Sequence, residues 1–337
     1  MRFGYTDVCL AHETGARHPE TSDRLLAIKE GLKRHHGVEY VEPPFATAEA
    51  IKSVHDGEYV DEVEAFCADG GGEWDPDTVA VEESWDAIRA SAGLAVWAAE
   101  RALAGDDGRQ TPFALGRPPG HHATDDDAMG FCFANNVAVA AQQAIEGGAD
   151  RVAIFDWDVH HGNGTQDIFY ERDDVFFVSV HEKGIYPGTG APNQTGRGAG
   201  AGTTLNVPLP AAGGDPEYLA VCDRLLEPAL ERFDPDLLLV SAGFDAHEHD
   251  PISRMRVTTE GYGALTDRVR SIAETVDAGL GFVLEGGYAL DVLAESIAMV
   301  HETFDGRESV VEDDEPDEEV VSLLKSTKRS HQGLIGP

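Results

Sequence analysis

The chain is short of positive charge. Only 25 of its 337 residues are Lys or Arg, against 62 Asp or Glu, which leaves a formal charge of −37. Phosphate backbones would meet a strongly negative surface, so direct nucleic-acid binding is disfavoured. Lysine is scarcest: Lys29, Lys33, Lys52, Lys183, Lys325 and Lys328 are the full set. Cysteine is sparse too. Cys9, Cys67, Cys132 and Cys222 lie far apart with no CxxC pair, which indicates neither a zinc ribbon nor a disulfide scaffold and points to reduced, cytoplasmic thiols. No run approaches 18 uninterrupted apolar residues, and the opening MRFGYTDVCLAHETGARHPE has no basic stretch leading into an apolar one. A soluble, unexported protein without membrane contact is expected.

The acidic residues are spread along the chain rather than gathered in one tail. Their repulsion reaches roughly 30 Å at 0.01 M salt and 3 Å at 1 M. The composition therefore reads as halophilic adaptation, with an acidic face for basic proteins as the competing reading. The size suits one α/β domain whose 42% hydrophobic residues fill a core. The stretch EDDEPDEE at 312–319 reads as a solvated linker, which divides the chain into a body at 1–305 and an acidic linker and C-terminal tail at 306–337.

Four apolar runs look like buried strands: Arg151 to Trp157, Val175 to Val180, Asp236 to Ala242 and Gly281 to Glu285. Helical periodicity is found near 21–34, 57–68, 84–104, 134–147, 216–232, 258–277 and 289–303. Strands alternating with helices imply a parallel sheet covered on both faces. The Gly-rich segment Pro187 to Gly202 runs into an extended stretch rather than a helix, so it reads as a surface loop and not as a phosphate cradle.

Ligands of parallel sheets bind outside the carboxyl ends of strands, and each of these runs ends in reactive residues. The first continues Asp156-Trp157-Asp158-Val159-His160-His161. If the chain stays extended to His160, period two places Asp156, Asp158 and His160 on one side, a set suited to a metal. Ion pairs or a helix cap are the alternative. Asp245 follows the third run after a glycine and reads either as an N-cap or, beside the first cluster, as a further ligand. Two Asp oxygens, one His nitrogen and no thiolate describe an open catalytic zinc site, although Fe(II), Co(II) or manganese suits the same donors. His121 and His122 stand on a Pro/Gly turn, and Tyr288 follows two glycines after the fourth run. Each could equally be structural.

Taken in order, RPPGHHA, GFCFANN, DWDVHHGNGTQ, YPGTG, SAGFDAH and LEGGY resemble the signatures of the histone deacetylase family, over about 18–300. The wording DWDVHHGNGTQ with LEGGY is closer to class II and acetylpolyamine amidohydrolase relatives than to class I. The resemblance implies the arginase-deacetylase fold, a three-layer αβα sandwich on a mostly parallel eight-stranded sheet. It implies zinc on Asp158, His160 and Asp245, and His121 and His122 as catalytic histidines backed by Asp156 and Asn163. It also implies Tyr288 as the catalytic tyrosine, Gly130, Phe131 and Tyr186 along the substrate tunnel, and Asp77 at its rim. A potassium ion is implied on Asp156, Asp158, His160, Ser179 and Val180. The implied activity is deacetylation of acetylated protein lysine or acetylated polyamine. A non-catalytic acetyl-lysine scaffold and an arginase-like ureohydrolase are the alternatives, the latter needing further Asp ligands. The sequence leaves the oligomeric state open.

Overall fold

The apolar runs become the middle of one twisted sheet. The computed structural model describes residues 1–311, 314–331 and 333. The strands of this sheet are β1 (Arg2–Gly4), β2 (Glu39–Val41), β3 (Pro112–Ala114), β4 (Val152–Asp156), β5 (Val175–Glu182), β6 (Thr204–Leu209), β7 (Leu237–Ala242) and β8 (Gly279–Leu284). Their spatial order is β2-β1-β3-β8-β7-β4-β5-β6, and every neighbouring pair is parallel. Strands β4, β5 and β7 are buried at every position, which is why they lack the alternation of a half-exposed strand. The sheet and its helical cover form the αβα sandwich of the arginase-deacetylase fold.

The helices Asp23–Leu32, Gly57–Ala68, Ser84–Leu103, Asn136–Glu146, Thr259–Val276 and Leu290–Phe304 fall within two residues of the bounds set by periodicity. The segment near 216–232 differs. It is Asp215–Val221 and Glu227–Phe233 joined by a wider turn at Cys222–Leu226, because Pro228 has no N–H to continue the ladder.

The short tail expected after the acidic linker carries a helix. Residues 312 and 313 of the acidic stretch lie outside the described residues, but Glu318–Ser330 forms a helix with Val320, Leu324 and Thr327 buried. Their spacing makes one face. The following His331 lies 2.7 Å through Nε2 from the Thr204 carbonyl of edge strand β6, so this helix packs against an edge that would otherwise be open.

Strands β8, β7 and β4 are adjacent at the sheet centre. The loops leaving their carboxyl ends carry Glu285 to Tyr288, Gly243 to Asp250 and Trp157 to Gly162. The parallel winding therefore delivers three sequence-distant segments to one crevice.

Candidate active site

Strand β4 stops at Asp156, so the extended path to His160 is not the one taken. Asp156 Oδ1 accepts the Asp158 N–H at 3.1 Å and Asp158 Oδ1 accepts the His160 N–H at 2.9 Å. Such local carboxylate contacts compete with the sheet ladder and turn the chain. Trp157 and Val159 enter the hydrophobic core. Asp158 and His160 still converge, and they meet Asp245: His160 Nδ1 is 3.0 Å from Asp158 Oδ1 and 3.2 Å from Asp245 Oδ2.

These three residues could hold a metal ion, since one donor atom from each lies within 4.8 Å of the others and all are buried. Asp245 Oδ1 accepts the Val159 N–H and Asp158 Oδ2 accepts the Gly286 N–H, but Asp245 Oδ2 is buried with no hydrogen-bond donor. An orphaned carboxylate oxygen calls for a cation. Burial would lower His160, yet the Asp158 and Asp245 carboxylates hold it up at about 10. A proton answers part of that demand, and a divalent ion answers more of it. Two glycines make the space: a Cβ at Gly243 would lie 2.0 Å from Asp158 Oδ2, and one at Gly286 2.1 Å from Asp245 Oδ2.

The tandem histidines stand above this cluster with ring centroids 4.1 Å apart. His121 Nδ1 is 2.9 Å from Asp156 Oδ2, and His122 Nδ1 is 2.7 Å from Asn163 Oδ1. Their environments pull in opposite directions. Burial would lower His121, but Asp156 and Asp158 hold it up at about 10. His122 sits well below the usual imidazole value because of burial and the neighbouring His121 and His160 charges, with an amide rather than a carboxylate behind it. One ring thus retains its proton while the other is free to take one.

A cavity of about 190 Å³ opens over the cluster. Gly130, Phe131, Tyr186, Ile252 and Tyr288 form its walls, with Asp77 at the exposed mouth. Tyr186 stands edge-on to His122 at 5.0 Å, and Phe131 edge-on to Tyr288 at 5.9 Å. Phe131 has φ +71, a left-handed conformation that costs a bulky residue on the order of 1–3 kcal/mol and is tolerated where a site requires it. Gly130 before it leaves no room for a side chain, since a Cβ would lie 2.5 Å from His122. Burial pushes the Tyr288 phenol well up despite the Arg24 guanidinium beside it, so the hydroxyl stays a neutral donor. The loop Pro187 to Gly202 lies alongside, tied by Thr189 Oγ1 to His161 Nδ1 at 2.8 Å.

Several supporting groups are not apparent from the sequence. Glu285 Oε2 accepts the Gly120 and His121 N–H groups at 2.7 and 3.2 Å, which fixes the tandem-histidine turn. Arg117 grips both Glu20 oxygens at 2.6 Å, and Arg24 reaches Glu20 at 3.1 Å and the Gly287 carbonyl at 2.7 Å. Each of these charged residues is fully buried. The only signal for them is that charged residues stand inside otherwise apolar or motif segments.

Fold and site together define a parallel-sheet protein with an oxygen and nitrogen donor set that could hold a cation beneath a histidine pair. Comparison with known proteins agrees. Residues 18–304 match the histone deacetylase domain. The chain is 40% identical to a histone deacetylase-like amidohydrolase of Pseudomonas aeruginosa, over 92% of this chain and 87% of that one. It is 40% identical to a probable deacetylase of Archaeoglobus fulgidus, over 84% and 79%. The crystal structure of the HDA15 HD domain superposes with a TM-score of 0.90 at 34% identity, covering 98% of this chain and 94% of that one. The chain belongs to the histone deacetylase family, and it is a hydrolase acting on amides. Among the described residues no helix is long and apolar enough to cross a membrane.

Proposed function

We propose that the protein is a zinc-dependent deacetylase that hydrolyses the amide of an acetylated amine, acetyl-lysine or an acetylpolyamine, to acetate and the free amine. The observation that carries this reading is the narrow cavity lined by His121, His122, His160 and Tyr288, where His160 belongs to the buried donor set it forms with Asp158 and Asp245. A divalent ion held by Asp158, His160 and Asp245 would polarise the amide carbonyl and acidify water. His122, kept neutral and oriented by Asn163, takes the proton of the attacking water. Tyr288 donates a hydrogen bond to the oxygen on which negative charge develops. His121, anchored by Asp156, stabilises that charge from the side, and a histidine returns the proton to the departing amine. Phe131 and Tyr186 admit a slim aliphatic chain and exclude bulk, while Asp77 offers an acceptor at the mouth.

Potassium belongs to the same reading, on Asp156, Asp158, His160, Ser179 and Val180. Support comes from the register, which pairs Asp156 with Ser179 on one side and Ser241 on the other, and from Ser241 Oγ, which is buried without a partner. The acidic composition supports work in a salt-rich cytoplasm. Turnover of an acetyl-lysine peptide and of an acetylpolyamine, measured side by side in high KCl, tests the reading. His122→Ala is expected to lose roughly 10²- to 10⁴-fold in kcat, and wild-type-like turnover in that variant would overturn the assignment.

A further inference from the structure

Tyr288 has no helix or strand of its own. It sits in the loop between Leu284, the end of β8, and the helix that begins at Leu290, preceded by two glycines of which Gly287 has φ +120. Such a loop does not fix a phenol to a fraction of an ångström unless something outside it does. The structure provides one such anchor on the N–H side. Asp250 Oδ2 accepts the N–H of Tyr288 at 2.7 Å and that of Ala289 at 3.1 Å, while Oδ1 accepts the N–H of Ile252 at 3.0 Å. The carboxylate is 6% exposed. It lies in the loop that leaves β7 with Asp245, and the same loop is pinned again by Ser253 Oγ, which donates to the Asp245 carbonyl at 2.6 Å.

We infer that Asp250 is a positioning residue for the reaction: it locks the Tyr288 backbone to the loop that bears Asp245, the Ile252 N–H holding the carboxylate in place from within that loop. One side chain thereby ties the hydroxyl donor to the cation site across two loops 38 residues apart in sequence. Charge-assisted bonds to successive backbone N–H groups are short and directional, and a misplacement of about 1 Å at a reacting group costs on the order of 10² in rate. The expectation is therefore a loss in kcat rather than in KM, because Tyr288 acts on charge that is present only in the transition state.

This inference rests on Tyr288 as the oxyanion donor, and a double-mutant cycle separates the two. Asp250→Ala, Tyr288→Phe and the double variant are assayed on an acetyl-lysine peptide with metal present, with melting followed in parallel. Asp250→Ala should lose about 10²-fold in kcat with KM within about twofold, and adding it to Tyr288→Phe should cost little more. If Asp250→Ala is fully active, or lowers kcat by the same factor in both backgrounds, Asp250 does not act through Tyr288 and the inference is overturned. If Tyr288→Phe itself is as fast as wild type, it is the proposed function that fails. Should Asp250→Ala not fold, Asp250→Asn takes its place in the cycle: it keeps one acceptor oxygen and gains an N–H₂ that cannot accept. A smaller kcat loss that again vanishes in the Tyr288→Phe background supports the inference, and an undiminished one contradicts it.

Discussion

Two clusters of buried charge flank the pocket, and they are built to opposite ends. In the Glu20, Arg24 and Arg117 cluster every guanidinium nitrogen donates, to Glu20 or to the carbonyls of Cys9, His12, Glu20, Glu285 and Gly287. In the Asp156, Asp158, Asp245, His121 and His160 cluster the carboxylates outnumber the imidazoles, and Asp245 Oδ2 has only the poorly aligned His160 Nδ1 beside it at 3.2 Å. The first is closed, with every guanidinium nitrogen satisfied although two arginines share one carboxylate; the second is unsatisfied, and its His121 and His160 line the cavity. Burial of charge is therefore not the mark of a site. Burial of charge left incomplete beside a cavity is.

The comparison can be broken from either side. Asp245→Asn should remove a metal donor and lower kcat by about 10³-fold or more, several kcal/mol of transition-state stabilisation, with a small net change in the metal-free fold near neutral pH, since lost pairing with His160 is offset by relieved repulsion with Asp158. Steady-state kinetics together with melting of the metal-free protein check both halves. Arg117→Met should do the reverse in kind: it leaves Glu20 buried with Arg24 as its remaining charged partner and should cost about 3–5 kcal/mol of stability, read by chemical denaturation. Tyr288→Phe should lower kcat by roughly 10²- to 10³-fold with no change in melting.

Acid and alkali sharpen the contrast in the metal-free protein. Burial would raise Glu20, but Arg117 and Arg24 hold it down from 4.5 to about 2. A depressed carboxyl contributes stability that is present above about pH 4.5 and is lost as the pH falls towards 2. His121 and His160 are raised from 6.5 to about 10, so their contribution is full below about pH 6.5 and is lost as the pH rises towards 10. Melting across pH should show Arg117→Met flattening the acid side and Asp245→Asn the alkaline side. The smallest effect concerns salt. Added KCl should stabilise wild type, Arg117→Met and Asp245→Asn alike, because screening acts on the exposed part of the −37 charge and hardly on buried pairs.

What the sequence made legible follows the same division. The central strands could be read because burial on both faces leaves a continuous apolar run, whereas Arg2–Gly4, Glu39–Val41 and Pro112–Ala114 are too short to show a period. Asp158, His160 and Asp245 were accessible as chemistry stranded at strand ends, although a turn and not an extended strand gathers them. The helix Glu318–Ser330 was hidden by the acidic residues around a face of Val320, Leu324 and Thr327. The pairing of the closed cluster could not be read: Glu20 meets Arg117 across 97 residues, and the place of Arg117 at the head of RPPGHHA does not say what it pairs with. A self-satisfied network leaves no trace along the chain, while an unsatisfied one concentrates donors within a few positions.

Elemental analysis of the folded, purified protein and its Asp245→Asn variant bears most directly on this account. It predicts close to one tightly held divalent ion per wild-type chain, zinc when zinc is supplied, and a marked loss of that ion in the variant. A well-folded wild-type protein that binds no divalent ion, or a variant that retains it undiminished, would contradict it.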